Sequence, residues 1–566
     1  MHNLVYLLLR RMRLPLIMVI LAYAISVLGL VLIPGVDDQG NPWRMDFFHA
    51  FYFVSILGST IGLGEIPYPF TDAQRIWTMV AIYTTVIAWL FAIGSLFALF
   101  SDPGFRRILA YTLFTRAVRA IREPFYLVCG LGDAGQQLVY ELAGRCIRTV
   151  VIDNRENRVQ ALLLEDLRVY VPALCADAAD AATLSVAGVN SRHCRGVIAL
   201  TNSDHINLTI AITSKLLSPE LQVICRSESH DSEANMASFG TDHIVNPYDT
   251  FARRFALMLK SPSMFLVNEW LTSIRDAPLR EFAAPPKGTW VICGYGRFGK
   301  ALQKSLSFEG IETILIESDI EKTGAPEGVI VGRGTEAITL YEADIENADG
   351  IIAGTDDDSN NLSIIITAVD LNKKLFTVGR QNRRSNDAIF NAARLDVIMQ
   401  PGAIISQRIV ALLTTPLLTD FLRLAGQQRD EWANMLVSRV VGVLTDRPPD
   451  SWTISVDAKQ APAILEMIRK DSDVTIGMLC TDPRDLALTL PCVPLYLQRA
   501  VDEILLPGND CVLQPGDQLL FCGRQDIATY MRWTMNNFNA LNYISTGEDR
   551  PSGHLWRWLA ERYTSG

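Results

Sequence analysis

The sequence predicts a two-span α-helical membrane module followed by a cytosolic α/β portion, made of two similar doubly wound domains and a smaller β-rich lobe. Three observations carry this. Leu14–Pro34 and Ile76–Phe100 are apolar runs of 21 and 25 residues without a charge, and about 20 apolar residues suffice to cross a bilayer as a helix. A stretch beginning at Phe125 reappears, altered, at Thr289. Within each copy short apolar strands alternate with helical stretches, the pattern of a parallel sheet covered by helices.

The membrane module comes first. Apolar residues make up 49% of the 566 and charged residues 20%, with a mean hydropathy of +0.18, a balance that excludes disorder. The first run is too long for a signal-peptide h-region and lacks a small-x-small cleavage site after it. Arg10, Arg11 and Arg13 precede the first span, and Arg106, Arg107, Arg116 and Arg119 follow the second, whereas the connecting loop is mostly acidic. Positive residues mark the cytoplasmic side. The chain is therefore expected to be a multi-pass protein of the inner (plasma) membrane, with both termini cytoplasmic. Leu4–Arg13 reads as a separate amphipathic helix lying on the inner face in contact with membrane lipid.

Between the spans, Met45–Leu57 is apolar and aromatic but too short to cross, and Ser59–Pro69 follows as a glycine-containing turn. A short helix and an irregular turn at membrane depth describe a re-entrant segment, tolerated only where it lines a water-filled path. Gly62 and Gly64 alternate with Ile61 and Leu63, which lets successive carbonyls face one way and replace the hydration shell of an ion. Gly94, two thirds along the second span, reads equally well as a gating hinge or as a small residue for helix packing.

The cytosolic repeat comes next. At an offset of 164, Gly130, Gly135 and Asp153 match Gly294, Gly299 and Glu317; at 154, Thr201, Asn207, Arg226 and Pro247 match Thr355, Asn361, Arg380 and Pro401. One net deletion of ten residues explains the change, and so many agreements mark a true duplication. G-x-G-x-x-G follows the first strand of each copy, as Gly130, Gly132, Gly135 and as Gly294, Gly296, Gly299. The glycines permit the tight turn, the approach of a phosphate and close helix–strand packing, and the helix N-terminus offers amide donors to an anion. Asp153 and Glu317 end the second strand, placed to accept from ribose hydroxyls. The bland alternative is that the glycines serve sheet–helix packing alone. Asp133, Asn154 and Asp177 in the first copy and Arg297 in the second complete the candidate nucleotide set.

At this point the residues resemble known families. Thr60-Ile61-Gly62-Leu63-Gly64-Glu65 resembles the filter of potassium channels, and residues 14–100 resemble their two-span pore module. Leu63 stands where that family usually has Tyr or Phe, and Glu65 where it has Asp. The two copies, over roughly 122–260 and 287–425, resemble the RCK or TrkA-N domain, a Rossmann-like fold. The resemblance implies roles for Thr201–Asp204, Thr355–Asp358, Arg226 and Arg380 at the ligand or the crevice. It also implies a homotetramer, K+ as permeant ion and NAD(H) or another adenine nucleotide as regulatory ligand. The expected division is a pore module over 1–105 (spans 14–34 and 76–100, pore helix 45–58, filter 60–65), a linker over 106–124, a first RCK domain over 125–286 and a second over 287–430. A C-terminal lobe over 431–535 and a tail over 536–566 complete it. Phe265–Ile274 reads as a crossover helix docking a neighbouring lobe, and His554–Tyr563 as a short terminal helix.

Function follows by elimination. Beyond residue 110 the balance of charge is −11, which excludes nucleic acid as a partner, because phosphate backbones need basic surface. Ten scattered cysteines without a C-x-x-C pair fit a reduced cytosol and no metal ribbon. An oxidoreductase reading lacks an acid/base pair: His193, His205, His230 and His243 stand singly in one copy, and residues 287–425 contain no histidine. What remains is the activity the resemblance implies, not enzymatic but passive, ligand-gated potassium conduction, expected to be dominated by the first copy, which the second span enters directly through Ser101–Pro124. The alternatives are a less selective cation channel and a membrane-anchored regulatory subunit of a potassium transporter. Asp356–Asp358 offers Ca2+ oxygen ligands, or else a solvated loop near a ribose.

Overall fold

The computed structural model describes residues 2–61, 64–272, 284–443, 447–524 and 526–548. The chain divides into two compact units, 1–120 and 121–566.

In the first unit, α1 (His2–Leu32), α2 (Phe47–Gly58), α3 (Asp72–Ser101) and α4 (Pro103–Ala120) follow one another. Two helices are long and apolar enough to cross a membrane, Arg10–Leu32 and Asp72–Ser101. The expected surface helix at Leu4–Arg13 is not separate: α1 runs through it without a break and carries Pro15 inside. Each end of the hairpin has its own clasp. Arg11 pairs with Asp102 at 2.5 Å, holding the start of one span beside the end of the other. At the far end Thr71 caps α3 in a reciprocal capping box with Gln74, which extends the second span four residues ahead of its apolar run. The spans meet where Gly29 admits the ring of Trp77, which a Cβ there would approach to 2.0 Å; the indole donates to the Ser26 carbonyl at 3.1 Å. The end of α2 is seated the same way, Gly58 facing the Tyr23 hydroxyl that Trp89 also reaches at 3.1 Å. Val27, Leu30, Met45, Phe53, Val54 and Phe70 form the core between them. The stretch after the second span, expected as a plain linker, is the 18-residue helix α4.

The second unit holds two six-stranded parallel sheets and one four-stranded antiparallel sheet among the described residues. The first copy contributes β1 (Phe125–Cys129), β2 (Arg148–Asp153), β3 (Ala173–Cys175), β4 (Cys194–Ala199), β5 (Gln222–Arg226) and β6 (His243–Val245), in spatial order 3-2-1-4-5-6. The second contributes β7 (Trp290–Cys293), β8 (Thr313–Glu317), β9 (Ile330–Val331), β10 (Gly350–Ala353), β11 (Phe376–Arg380) and β12 (Val397–Met399), in the same order counted from β7. That order is the doubly wound one, which places a crevice at the carboxyl ends of the strands where the order reverses, between β1 and β4 and between β7 and β10.

The helix after the glycine loop is α5 (Asp133–Gly144) in the first copy and α7 (Arg297–Phe308) in the second; the helix after the last strand is α6 (Pro247–Lys260) and α8 (Pro401–Thr414). These helices exchange partners between copies. Phe251 and Phe255 of α6 pack on Phe298, Leu302 and Leu306 of α7, while Ile405, Ile409 and Val410 of α8 pack on Leu138, Val139 and Leu142 of α5. Each copy thus lays its last helix over the other's glycine-loop helix. The helix Pro262–Thr272 also docks a neighbouring lobe: Met264, Val267 and Leu271 pack with Leu418, Phe421 and Leu436 against the C-terminal sheet, through Leu495 and Leu520. Residues 273–274 and 554–563 lie outside the described residues. The C-terminal sheet is β13 (Asp450–Ser455), β14 (Cys492–Arg499), β15 (Asp502–Leu505) and β16 (Gln518–Gly523), with strand order 13-16-14-15. The helices Ile527–Asn536 and Phe538–Thr546 close it. The lobe is therefore mixed α and β, and its last helix enters the stretch expected as a tail.

Candidate functional site

The three glycines of each loop have different reasons to be there. Gly130 has φ +105° and Gly294 φ +99°, backbone that L side chains rarely adopt. A Cβ on Gly135 would lie 2.0 Å from the Gly130 carbonyl oxygen, and one on Gly299 equally close to that of Gly294. These four positions are explained by backbone conformation and packing within the chain. The middle glycines are not. A Cβ on Gly132 would meet nothing nearer than 3.8 Å, and one on Gly296 nothing within 4 Å, and neither has positive φ. Among the described residues none stands close enough to either position to exclude a side chain.

The acids at the strand ends brace the loops. Asp153 is buried; one carboxylate oxygen accepts the Leu131 N–H at 2.6 Å and the other the Arg155 N–H at 2.8 Å. Glu317 repeats this with the N–H groups of Tyr295 at 2.5 Å and Asp319 at 2.9 Å. Each carboxylate keeps lone pairs beyond these contacts.

On the other side of the crevice a residue stands out that motif reading had matched across the repeat without giving it a role. The Asn207 side chain is fully buried. It accepts from the Thr201 N–H at 2.9 Å and hydroxyl at 2.7 Å, and donates to the carbonyls of Thr201 and Arg226, both at 3.0 Å. Asn361 makes the same four bonds to Thr355 and Arg380. The amide pins the loops after β4 and β5 together, and the threonine hydroxyls are engaged in that pin. Asn207→Ala should destabilise the second unit by about 3 kcal/mol or more, because buried donors and acceptors lose their partners at once; chemical denaturation of the purified protein measures it.

Asp356 and Asp357 of the acidic stretch are exposed, as expected of a solvated loop, but Asp358 is not. Asp358 is buried and accepts from Asn382 N–H at 2.6 Å, Asn382 Nδ2 at 2.9 Å, Arg383 N–H at 3.1 Å and Asn386 Nδ2 at 2.7 Å. Asp357 caps the following helix through Asn360 N–H at 2.9 Å. The Asp358 carboxylate holds the 382–386 segment in place. Asn154 and Asp177 are exposed, the latter accepting from Ala179 N–H at 2.9 Å.

A crevice of about 700 Å³ opens between the two copies. Gly132, Asp133, Asn202 and Arg226 of the first copy line it, with Arg297 and Arg380 of the second. Arg155, Arg158, Arg383 and Arg384 also face it, so seven arginines meet two acids, Asp133 and Glu228, inside a unit whose charge is strongly negative. Arg226 donates to Asn202 at 3.0 Å and pairs with Glu228, which also pairs with Arg297 at 2.7 Å. Such a concentration of guanidinium groups beside an open glycine and a helix N-terminus suits a phosphate-bearing anion.

In the membrane unit, Gly62 and Leu63 lie outside the described residues. Thr60 (φ +60°) and Gly64 (φ +88°) flank them with left-handed backbone, and Ile61 is exposed. Glu65 is held by a two-pronged contact with Arg75, at 2.8 and 3.2 Å, and accepts the Phe70 N–H at 2.8 Å. The two lie ten positions apart, Glu65 in the irregular turn and Arg75 in the first turn of α3, so no periodicity announces the pair. Gly94 sits in unbroken helix with nothing within 4 Å of a Cβ, so packing within the chain does not explain it.

An ion-channel family model matches residues 16–102, and a TrkA-N domain model matches twice, at 126–247 and 290–401. Potassium channel protein 1 of Methanocaldococcus jannaschii is 23% identical over 243 residues, 43% of this chain and 71% of that protein. A Trk system potassium uptake protein TrkA homolog of Methanothermobacter thermautotrophicus is 32% identical over 160 residues, 27% of this chain and 73% of that protein. Among solved structures, the GsuK channel superposes with a TM-score of 0.50 at 18% identity, covering 94% of this chain and 100% of that one, a likeness of fold.

Proposed function

We propose that this chain, which belongs to the potassium channels that join a two-span ion-channel module to TrkA-N domains, conducts potassium passively and is gated by an adenine nucleotide bound at the glycine loop. The observation that carries the ligand is Gly132, open to the arginine-lined crevice with no neighbour of its own to explain it. A nucleotide shifts the open–closed equilibrium only by binding the two states unequally. Potassium flux from vesicles reconstituted with the full chain, titrated with NAD and with ADP, tests this. Flux that is present but indifferent to both nucleotides refutes the regulatory half; absence of flux under every condition refutes the pore.

One filter segment per chain supplies a quarter of a ring of carbonyls, so four chains surround the pore. Phe47, Phe48, Phe51 and Tyr52 on α2 and much of α1 and α3 are exposed in the single chain, which gives neighbouring chains and lipid apolar surface to cover. Light scattering in mild detergent should give a tetramer, and a stable dimer or monomer would count against the assembly. The loop between the spans faces outward in this reading.

Glu65 and Arg75 support the filter from behind. Arg75 holds the Glu65 carboxyl below its ordinary value of 4.5. A depressed acid contributes its pairing fully above the ordinary value and loses it only as pH falls through the lower one. External acidification from pH 8 to pH 5 should therefore leave this brace intact, whereas Arg75→Gln should lower the potassium-to-sodium permeability ratio at every pH. Reversal potentials under bi-ionic conditions measure both, and an unchanged ratio in Arg75→Gln would remove the pair from the filter.

A further inference from the structure

The repeat is asymmetric where the last helix of one copy crosses the glycine loop of the other. Pro247 matches Pro401, and the next residues are Tyr248 and Gly402. Tyr248, on α6, is buried at the mouth of the second copy's loop, its ring 6.1 Å from that of Phe298. The Arg297 guanidinium lies 5.8 Å from the ring centre and that of Arg380 5.0 Å, and Arg380 also donates to the Tyr248 hydroxyl at 3.1 Å. Arg297 and Arg380 are the two cations of the second copy's predicted ligand set, and the tyrosine ring lies against both, Arg297 being paired with Glu228 as well. Cation–π pairs of this kind strengthen when withdrawn from water.

Gly402, on α8, takes the corresponding place over the first copy's loop. It has no side chain to insert, and a Cβ there would stand 3.1 Å from the Ala134 nitrogen and 3.3 Å from the Asp133 Cβ. The mouth of that loop stays open, and the 700 Å³ crevice reaches Gly132 through it. Beside Gly402 the second copy also presents Arg383 and Arg384, whose backbone is fixed by the Asp358 carboxylate and by a contact of the Arg384 N–H with Asp133 at 3.4 Å.

We infer that each chain binds a single nucleotide, at the first copy, because Tyr248 closes the second copy's site, and that the second copy instead lends Arg383 and Arg384 to the phosphates bound at the first. This rests on the nucleotide reading above and sharpens it. Ligand in the first copy would then touch both copies at once and hold them in one relative arrangement, whereas two independent sites would not require that.

The test is calorimetric titration of ADP into the full-length channel in detergent, with thermal melting to confirm folding of each variant. Wild type should take one ADP per chain. Tyr248→Gly should take two. Gly402→Tyr, which moves the obstruction to the other copy, should take none while still folding, and it keeps the idea testable if Tyr248→Gly unfolds. Arg383→Gln with Arg384→Gln should weaken the single site about tenfold or more, since charge-assisted contacts to phosphate are lost. Two ADP per wild-type chain, or undiminished binding in Gly402→Tyr, overturns the inference and leaves nucleotide gating standing. Absence of ADP and NAD binding in every form overturns both.

Discussion

Channels carrying Gly62→Ala or Gly64→Ala should pass no measurable potassium, while the second unit keeps its fold and its nucleotide binding. Gly64 has φ +88° and open space around a built Cβ, so the obstacle is backbone conformation and not crowding. An alanine there costs roughly 1 kcal/mol or more in the left-handed region, and in an assembly built of four such strands the cost is multiplied by the symmetry. The cheaper outcome is to flip the peptide, which turns a carbonyl away from the ion path. Vesicle flux and nucleotide titration on the same preparation separate the two units. Conduction at wild-type levels in both variants would reject residues 60–65 as the filter. Leu63→Tyr on the wild-type background should keep or raise selectivity over sodium, because a ring behind the filter limits its diameter.

What could be read in the sequence was whatever depends on a single stretch of chain. Charge-free runs located both spans, and the G-x-G-x-x-G spacing with an acid 18 residues on located both glycine loops. The elements that escaped depend on chain brought together from afar. Asn207 and Asn361 were visible as a matched pair, but their role needs the ends of β4 and β5 side by side, which only the sheet order supplies. Asp358 looked solvent-facing because its neighbours are acidic; the 382–386 segment that covers it lies 24 residues on. The capping box at Thr71 was within reach of a local reading, since Thr-x-x-Gln is its signature, but the charge-free criterion set the boundary at Ile76 instead. The substitution of Gly402 for Tyr248 was readable in the repeat alignment, yet its meaning waits on the crossing of α6 over α7.

Replacing each glycine of the first loop by alanine should separate fold from ligand. Gly135→Ala sets a methyl group 2.0 Å from the Gly130 carbonyl oxygen, a backbone atom that cannot swing aside. Relief requires α5 to move off the sheet, which disturbs Leu138, Val139 and Leu142 and the α8 residues packed on them. Overpacking of this kind costs about 1–3 kcal/mol and sometimes more, and here the upper end is expected because both contacting groups are main chain. Denaturant unfolding should show it directly. Gly132→Ala meets no atom nearer than 3.8 Å and keeps an ordinary φ, so its unfolding free energy should stay within about 0.5 kcal/mol of wild type, a small surface-type effect. Its methyl group instead occupies the place where a phosphate would come closest to the backbone, and ADP or NAD should bind at least tenfold more weakly, with a matching shift in the nucleotide dependence of flux. The contrast is the informative part: a stable Gly132→Ala with weakened binding beside an unstable Gly135→Ala assigns the middle glycine to the ligand and the last one to the fold. A Gly132→Ala channel that binds and gates like wild type would move the ligand out of this loop.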